Sequence, residues 1–147
     1  MEDSDRLDLG GGLSVQVLGT PGHTRDFLSY YIPEKKILVS SEAVGCHSGY
    51  KDYIVSEFIY SYQDYVDSMK RLATLDVEIL CQGHHRVFVG GDVRVFFEKS
   101  LAVFNILVNA FINFIIRKGF NPCNLRFLSQ IYSPNIVKGE CSCFITK

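Results

Sequence analysis

Three strand-like runs in this chain each stop a few residues short of a side chain that can bind a metal ion. Residues 13–18 lead to His23, Ile37–Val39 leads to Glu42, and residues 77–81 lead to His84. In layered α/β folds, binding sites collect in the loops beyond the carboxyl ends of strands, so this placement would bring the three side chains to one edge of a sheet. Two imidazoles and a carboxylate are donors that zinc and other first-row metals accept. A glycine precedes each of the two histidines, Gly22 and Gly83, as a tight loop with close backbone approach requires. Either histidine alone reads as an ordinary loop residue; the recurrence of the placement is what constrains the fold.

The segments between these donors fit a layered α/β sandwich, a mixed α+β arrangement of sheet and helix. Leu13, Val15 and Val17 alternate with Ser14 and Gln16, the period of a strand with one buried face. The strand follows the flexible run Gly10-Gly11-Gly12 and ends at Gly19-Thr20-Pro21-Gly22, a cluster of breakers. Residues 27–32 make a second strand, and Pro33-Glu34-Lys35-Lys36 turns the chain into Ile37-Leu38-Val39, an apolar run suited to burial on both faces. Residues 43–59 commit to no pattern. Ser61 and Asp64 form a capping-box-like pair at the start of a helix. Tyr62, Tyr65, Val66, Met69, Leu72 and Ala73 fall on one face of that helix, opposite Asp67, Lys70 and Arg71.

Charge and cysteine usage exclude several classes. A formal net charge of −1 argues against nucleic acid or an anionic membrane as a partner. The start, Met1-Glu2-Asp3-Ser4-Asp5, is acidic where a secretory signal would be basic and then apolar. Cys46, Cys81, Cys123, Cys141 and Cys143 are an odd set without a C-x-x-C pair, which points to free thiols and a cytoplasmic protein.

The donor segments resemble a known family. Val17-Leu18-Gly19-Thr20-Pro21-Gly22-His23-Thr24 is similar to the third signature motif of the metallo-β-lactamase superfamily, T-P-G-H-T after a strand. Ile37 to Glu42 sits where that family has its hairpin strand and bridging acidic ligand, and Cys81-Gln82-Gly83-His84 resembles its last metal motif. The match runs over residues 9–100 and identifies the chain as the second αββα-type half of a metallo-β-lactamase fold, with a long C-terminal helix. The resemblance implies a metal-dependent hydrolase with one or two ions, zinc first and iron or manganese as alternatives. Its substrate would be a small-molecule ester, thioester, lactam or phosphoester. It further implies that His23, Glu42 and His84 are metal ligands, with Thr24, Asp26 and His85 as supporting or substrate-contacting residues. His47 is expected to face solvent or a substrate loop.

The sequence departs from the family pattern in two respects. Glu42 stands where the family has aspartate, and the H-x-H-x-D-H motif is absent, His23 being the earliest histidine of the 147 residues. The expectation is therefore a chain inactive alone, partnered by a missing N-terminal half or by a second copy as a homodimer. The alternative is a non-catalytic, self-associating remnant or interaction module.

Residues 1–100 are read as the partial domain, and 101–147 as an apolar helix and irregular tail. Asp92 is the expected cap of a helix reaching Arg117. Asn105, Asn109 and Asn113 form its one polar stripe between residues 101 and 116, a run short of the ~20 residues of a membrane span. This helix is expected to lie over an exposed sheet face or to make a dimer contact.

Overall fold

The computed structural model describes residues 1–48, 53–84 and 86–117. His85 and the tail residues, with Cys123, Cys141 and Cys143, lie outside the described residues. In chain order the elements are β1 (Arg6–Gly10), β2 (Leu13–Gly19), β3 (Leu28–Ile32), β4 (Ile37–Val39), β5 (Cys46–His47), β6 (Ile54–Val55), α1 (Tyr62–Ala73), β7 (Ile79–Cys81), β8 (Val87–Val89) and α2 (Gly91–Arg117). Six strands form one mixed sheet in the order β1-β2-β3-β4-β7-β8, and β5 and β6 form a separate two-stranded ribbon. The sheet and its two helices make the α/β layering that the sequence implies. The ribbon and a short 3-10 turn at Ser41–Val44 occupy the stretch whose sequence commits to no pattern.

Strand direction follows from the pairings. β2 is antiparallel to β3, β3 is antiparallel to β4, and β4 is parallel to β7. Hence β2, β4 and β7 run the same way, and their carboxyl ends share one end of the sheet. The parallel step needs a crossover, and α1 supplies it. Ser61 caps α1 as expected, its hydroxyl accepting from the Asp64 amide. Tyr65, Met69 and Leu72 are buried; Ala73 is exposed, and Ser68 is buried instead, because its hydroxyl donates to the Pro21 carbonyl at 2.8 Å.

One face of the sheet carries the core. Tyr31, Leu38, Leu80 and Phe88 lie opposite one another across β3, β4, β7 and β8. They join Tyr65, Met69 and Leu72 of α1, with Val93, Phe96, Phe97 and Phe104 of α2, in one apolar cluster. Phe88 stacks on Phe96 with ring centroids 4.3 Å apart. The other face is also apolar, and among the described residues no helix packs on it. Ile37, Ile79 and Val89 form one row across it, and Tyr30, Val39, Cys81 and Val87 another. Val39, Val87 and Val89 are 38%, 57% and 61% exposed.

The alternation read in β2 has a definite side: Val15 and Val17 lie opposite Leu7 and Tyr30 on the face away from the helices, while Leu18 joins the helix-side cluster. Val17 is buried, and Val15 is half-buried. Among the described residues, no helix packs on that face.

The expectation for α2 also changes. It begins at Gly91, so Asp92 sits inside the first turn, where it complements the helix dipole rather than capping it. Its first half packs into the helix-side core through Phe104 and leaves the far sheet face uncovered. Beyond Phe104, Ile106, Leu107, Phe111, Phe114 and Ile116 are exposed, as are the three asparagines. Among the described residues, Gly91–Phe114 is long and apolar enough to cross a membrane by length and composition, yet Val93, Phe96, Phe97 and Phe104 within it belong to the core.

Candidate metal centre

His23, Glu42 and His84 follow β2, β4 and β7, so the parallel run of those strands sets all three at one end of the sheet. β4 and β7 are neighbours, about 4.8 Å apart, whereas β3 intervenes between β2 and β4. Glu42 and His84 meet, Oε1 to Nε2 at 3.1 Å. His23 is held by other contacts: its Nδ1 pairs with the Glu57 carbonyl and its ring meets Phe27 edge-on.

Each donor loop is held by contacts that the sequence alone conceals. The Pro21-Gly22-His23 turn is fixed against the start of α1, where the Tyr60 and Ser61 amides donate to the Gly22 carbonyl at 3.0 and 3.1 Å. Gly22 has φ +131°, and a Cβ there would overlap the Tyr65 backbone, so no other residue fits. Tyr65 then reaches from α1 to the Glu42 loop. Its hydroxyl donates to the Glu42 carbonyl and accepts from the Gly45 amide at 2.8 Å. Burial raises the Tyr65 phenol above its ordinary range, so it stays a donor at any ordinary pH.

From the other side, the Gln82 amide donates to the Gly45 carbonyl at 2.7 Å and accepts from the His47 amide at 3.2 Å. His47 is therefore buried, contrary to the solvent-facing position expected of it. Gly83 lets the His84 loop close on the Glu42 loop: a Cβ at 83 would sit 2.5 Å from Ser41 Oγ and 2.8 Å from Glu42 Oε1.

Burial would raise the Glu42 carboxyl. The Ser41 hydroxyl, its own amide and the His23 and His84 imidazoles outweigh that penalty and hold it below the usual carboxylate range. Glu42 is thus an ionised, partly buried carboxylate facing imidazoles. Thr24 and Asp26 are exposed and bond to each other at 3.3 Å, outside the Glu42–His84 pair. Glu57, which lies in the patternless stretch and carries no sequence signal, has a buried Oε2 with no hydrogen-bond partner among the described residues.

The donor types suit a first-row metal, but the donor count does not complete a site. A catalytic zinc takes three protein ligands and water. Among the described residues no three His, Cys, Asp or Glu side chains are grouped to hold an ion. Glu42 and His84 meet as a pair, and the His23 imidazole also acts on the Glu42 carboxylate.

Similarity to known proteins agrees with this geometry. The profile of the metallo-beta-lactamase superfamily matches residues 1–84. A hydroxyacylglutathione hydrolase from Bartonella tribocorum is 36% identical over 85 residues, which cover 55% of this chain and 30% of that protein. A metallo-beta-lactamase family protein from Thermus thermophilus has a TM-score of 0.63 at 23% identity, over 78% of this chain and 38% of its own. An archaeal superfamily protein from Sulfolobus tokodaii has a TM-score of 0.58 at 21% identity, over 69% and 37%. The chain thus spans about a third of the length of these relatives.

Proposed function

The chain belongs to the metallo-beta-lactamase superfamily, and from that premise we propose that it forms one half of a metal-dependent hydrolase. In this reading His23, Glu42 and His84 furnish one side of a centre for one or two ions. Zinc is the first choice, with iron or manganese as alternatives. The other side comes from a second sheet carrying the H-x-H-x-D-H ligands, which these 147 residues do not contain.

The observation that carries this reading is the bare apolar face of the sheet, ending at the edge where Glu42 and His84 meet. A soluble protein rarely leaves such a face open, and a second sheet packed about 10 Å away would cover it. The same sheet would bring its own donors to the shared edge. By likeness to the hydroxyacylglutathione hydrolase, the substrate is a thioester, with other small esters and lactams next. The protein is cytoplasmic in this reading, and its substrate is neither nucleic acid nor lipid surface.

Zinc titration by calorimetry tests the donor assignment. The chain should bind weakly, and Glu42→Gln or His84→Ala should each weaken binding about tenfold, as removal of one charged or ligating contact does. Equal binding in all three proteins would overturn it. The chain alone should not hydrolyse a hydroxyacylglutathione; measurable turnover would overturn the assignment of half a site.

A second reading, a self-associating module, has its own support in the exposed apolar residues of α2 beyond Phe104. Sedimentation separates the two: a dimer broken by Phe111→Lys and Phe114→Lys, but indifferent to Val87→Lys, favours self-association through α2.

A further inference from the structure

A cavity of about 240 Å³ opens at the donor end of the sheet, outside the Glu42–His84 pair. Val87 pairs with Cys81, so β8 starts at the end where β7 finishes, and the cavity is built around that start. Arg86 lines it, and the Arg86 amide donates to the His84 carbonyl at 2.9 Å. This hydrogen bond ties the wall directly to His84. The buried His47 of the β5–β6 ribbon lines it from another side, and the first turns of α2 close it with Asp92 and Lys99.

The lining has two chemical parts. Ile54, Phe88, Val95 and Phe96 make an apolar wall, and Val87 lines the cavity at the start of β8. Arg86 and Lys99 add two positive charges and Asp92 one negative, a local excess of one. Neither cation has an ion-pair partner among the described residues, in contrast to Arg94 one turn away, which is held by Glu98 at 2.9 Å. Two such cations beside an apolar wall would attract an anion and bury whatever apolar group carries it. The volume equals that of about eight water molecules, enough for a short chain or small ring with one acidic group.

We propose that this cavity binds a carboxylate carried on a short apolar body, with Arg86 and Lys99 on the charge and the Phe88–Phe96 wall on the body. That this group forms part of a substrate held beside His84 rests on the function proposed above; the binding itself does not.

Hexanoate is the probe, followed by amide chemical shifts in the labelled 147-residue chain. Hexanoate should move amides between residues 86 and 99 saturably. Hexanamide keeps the body without the charge, acetate keeps the charge without the body, and each should bind at least about tenfold more weakly. Arg86→Gln and Lys99→Gln are surface substitutions and should each weaken hexanoate about tenfold. Asp92→Asn should tighten it by removing the one repelling charge, and Glu98→Gln should leave it unchanged. No saturable shift, equal binding of hexanamide, or unaltered binding in the Arg86→Gln/Lys99→Gln double variant would overturn the proposal. Retention of hexanoate by His84→Ala, with zinc binding lost, would support the cavity independently of the metal centre; loss of hexanoate by that variant, with residues 86–99 otherwise unshifted, would count against it.

Discussion

Leu38 and Val39 are adjacent in β4 and have opposite fates. Leu38 is sealed beneath α1 and α2, whereas Val39 stands partly exposed on the opposite face, where among the described residues no helix packs. The same contrast runs across the sheet, between Leu80 and Cys81 and between Phe88 and Val87. The strands carry apolar residues on both sides, as strands buried on both faces do. The contrast teaches that a strand's sequence specifies that a face is to be buried and leaves the identity of the cover to other parts of the protein.

Substitutions on the two faces should separate them clearly. Leu38→Ala removes packing from the centre of the helix-side cluster and should cost about 2–5 kcal/mol in urea unfolding. A loss as small as that of a surface change would break the distinction. Tyr65→Phe comes next. It leaves the Gly45 amide and the Glu42 carbonyl without their buried partner, so a loss of about 1–3 kcal/mol is expected, with weaker zinc binding because the Glu42 loop loosens. Val87→Thr, on the bare face, should change the stability of this chain by less than about 0.5 kcal/mol. A complementary half added in solution should feel that same hydroxyl, and association that ignores it would show that the cover lies elsewhere.

The smallest effect concerns Asp3, which ties the amino-terminal segment to the end of β2. Its carboxylate accepts from the Gly19 amide at 2.7 Å and pairs with Arg71 at 2.9 Å. The Gly19 hydrogen bond first, then Arg71, lowers its pKa below the ordinary value of 3.8. A depressed folded-state value makes the ionised form stabilising, so the contribution is present above about pH 3.8 and fades as pH falls through the lower folded value. Because the pair is exposed, Asp3→Asn should cost only a fraction of about 1 kcal/mol at neutral pH. In strong acid it should cost nothing.

Much of the fold is legible in the sequence, because it rests on local signals. The Ser61 cap, the apolar stripe of α1 and the breakers at Gly19 to Gly22 act over a few residues. The ends of β2, β4 and β7 are legible for the same reason: the strands announce where they stop. What escapes depends on partners distant in the chain. Tyr65 reads as one more apolar helix residue, and only the fold brings its hydroxyl to Glu42 and Gly45. His47 reads as a loop residue until Gln82 is seen to hold its backbone. Period-2 alternation in β2 has the right spacing and Val17 is buried, yet alternation cannot say which face of the sheet the helices pack on. Val87–Val89 is too short to register as a strand by pattern, yet its start lines the cavity at this end of the sheet.

The two glycines that shape the donor loops should behave differently in a suppressor screen. At Gly22 an added Cβ collides with the main chain of Tyr65, so no side-chain change at position 65 can clear the space. At Gly83 the collision is with the Ser41 hydroxyl and the Glu42 carboxylate. Trimming Ser41 to glycine should therefore rescue part of the Gly83→Ala defect, whereas Gly22→Ala should recover only by reversion. The turn that marks the family is, by this criterion, a genetic dead end, and the loop bearing His84 remains free to drift alongside its neighbour.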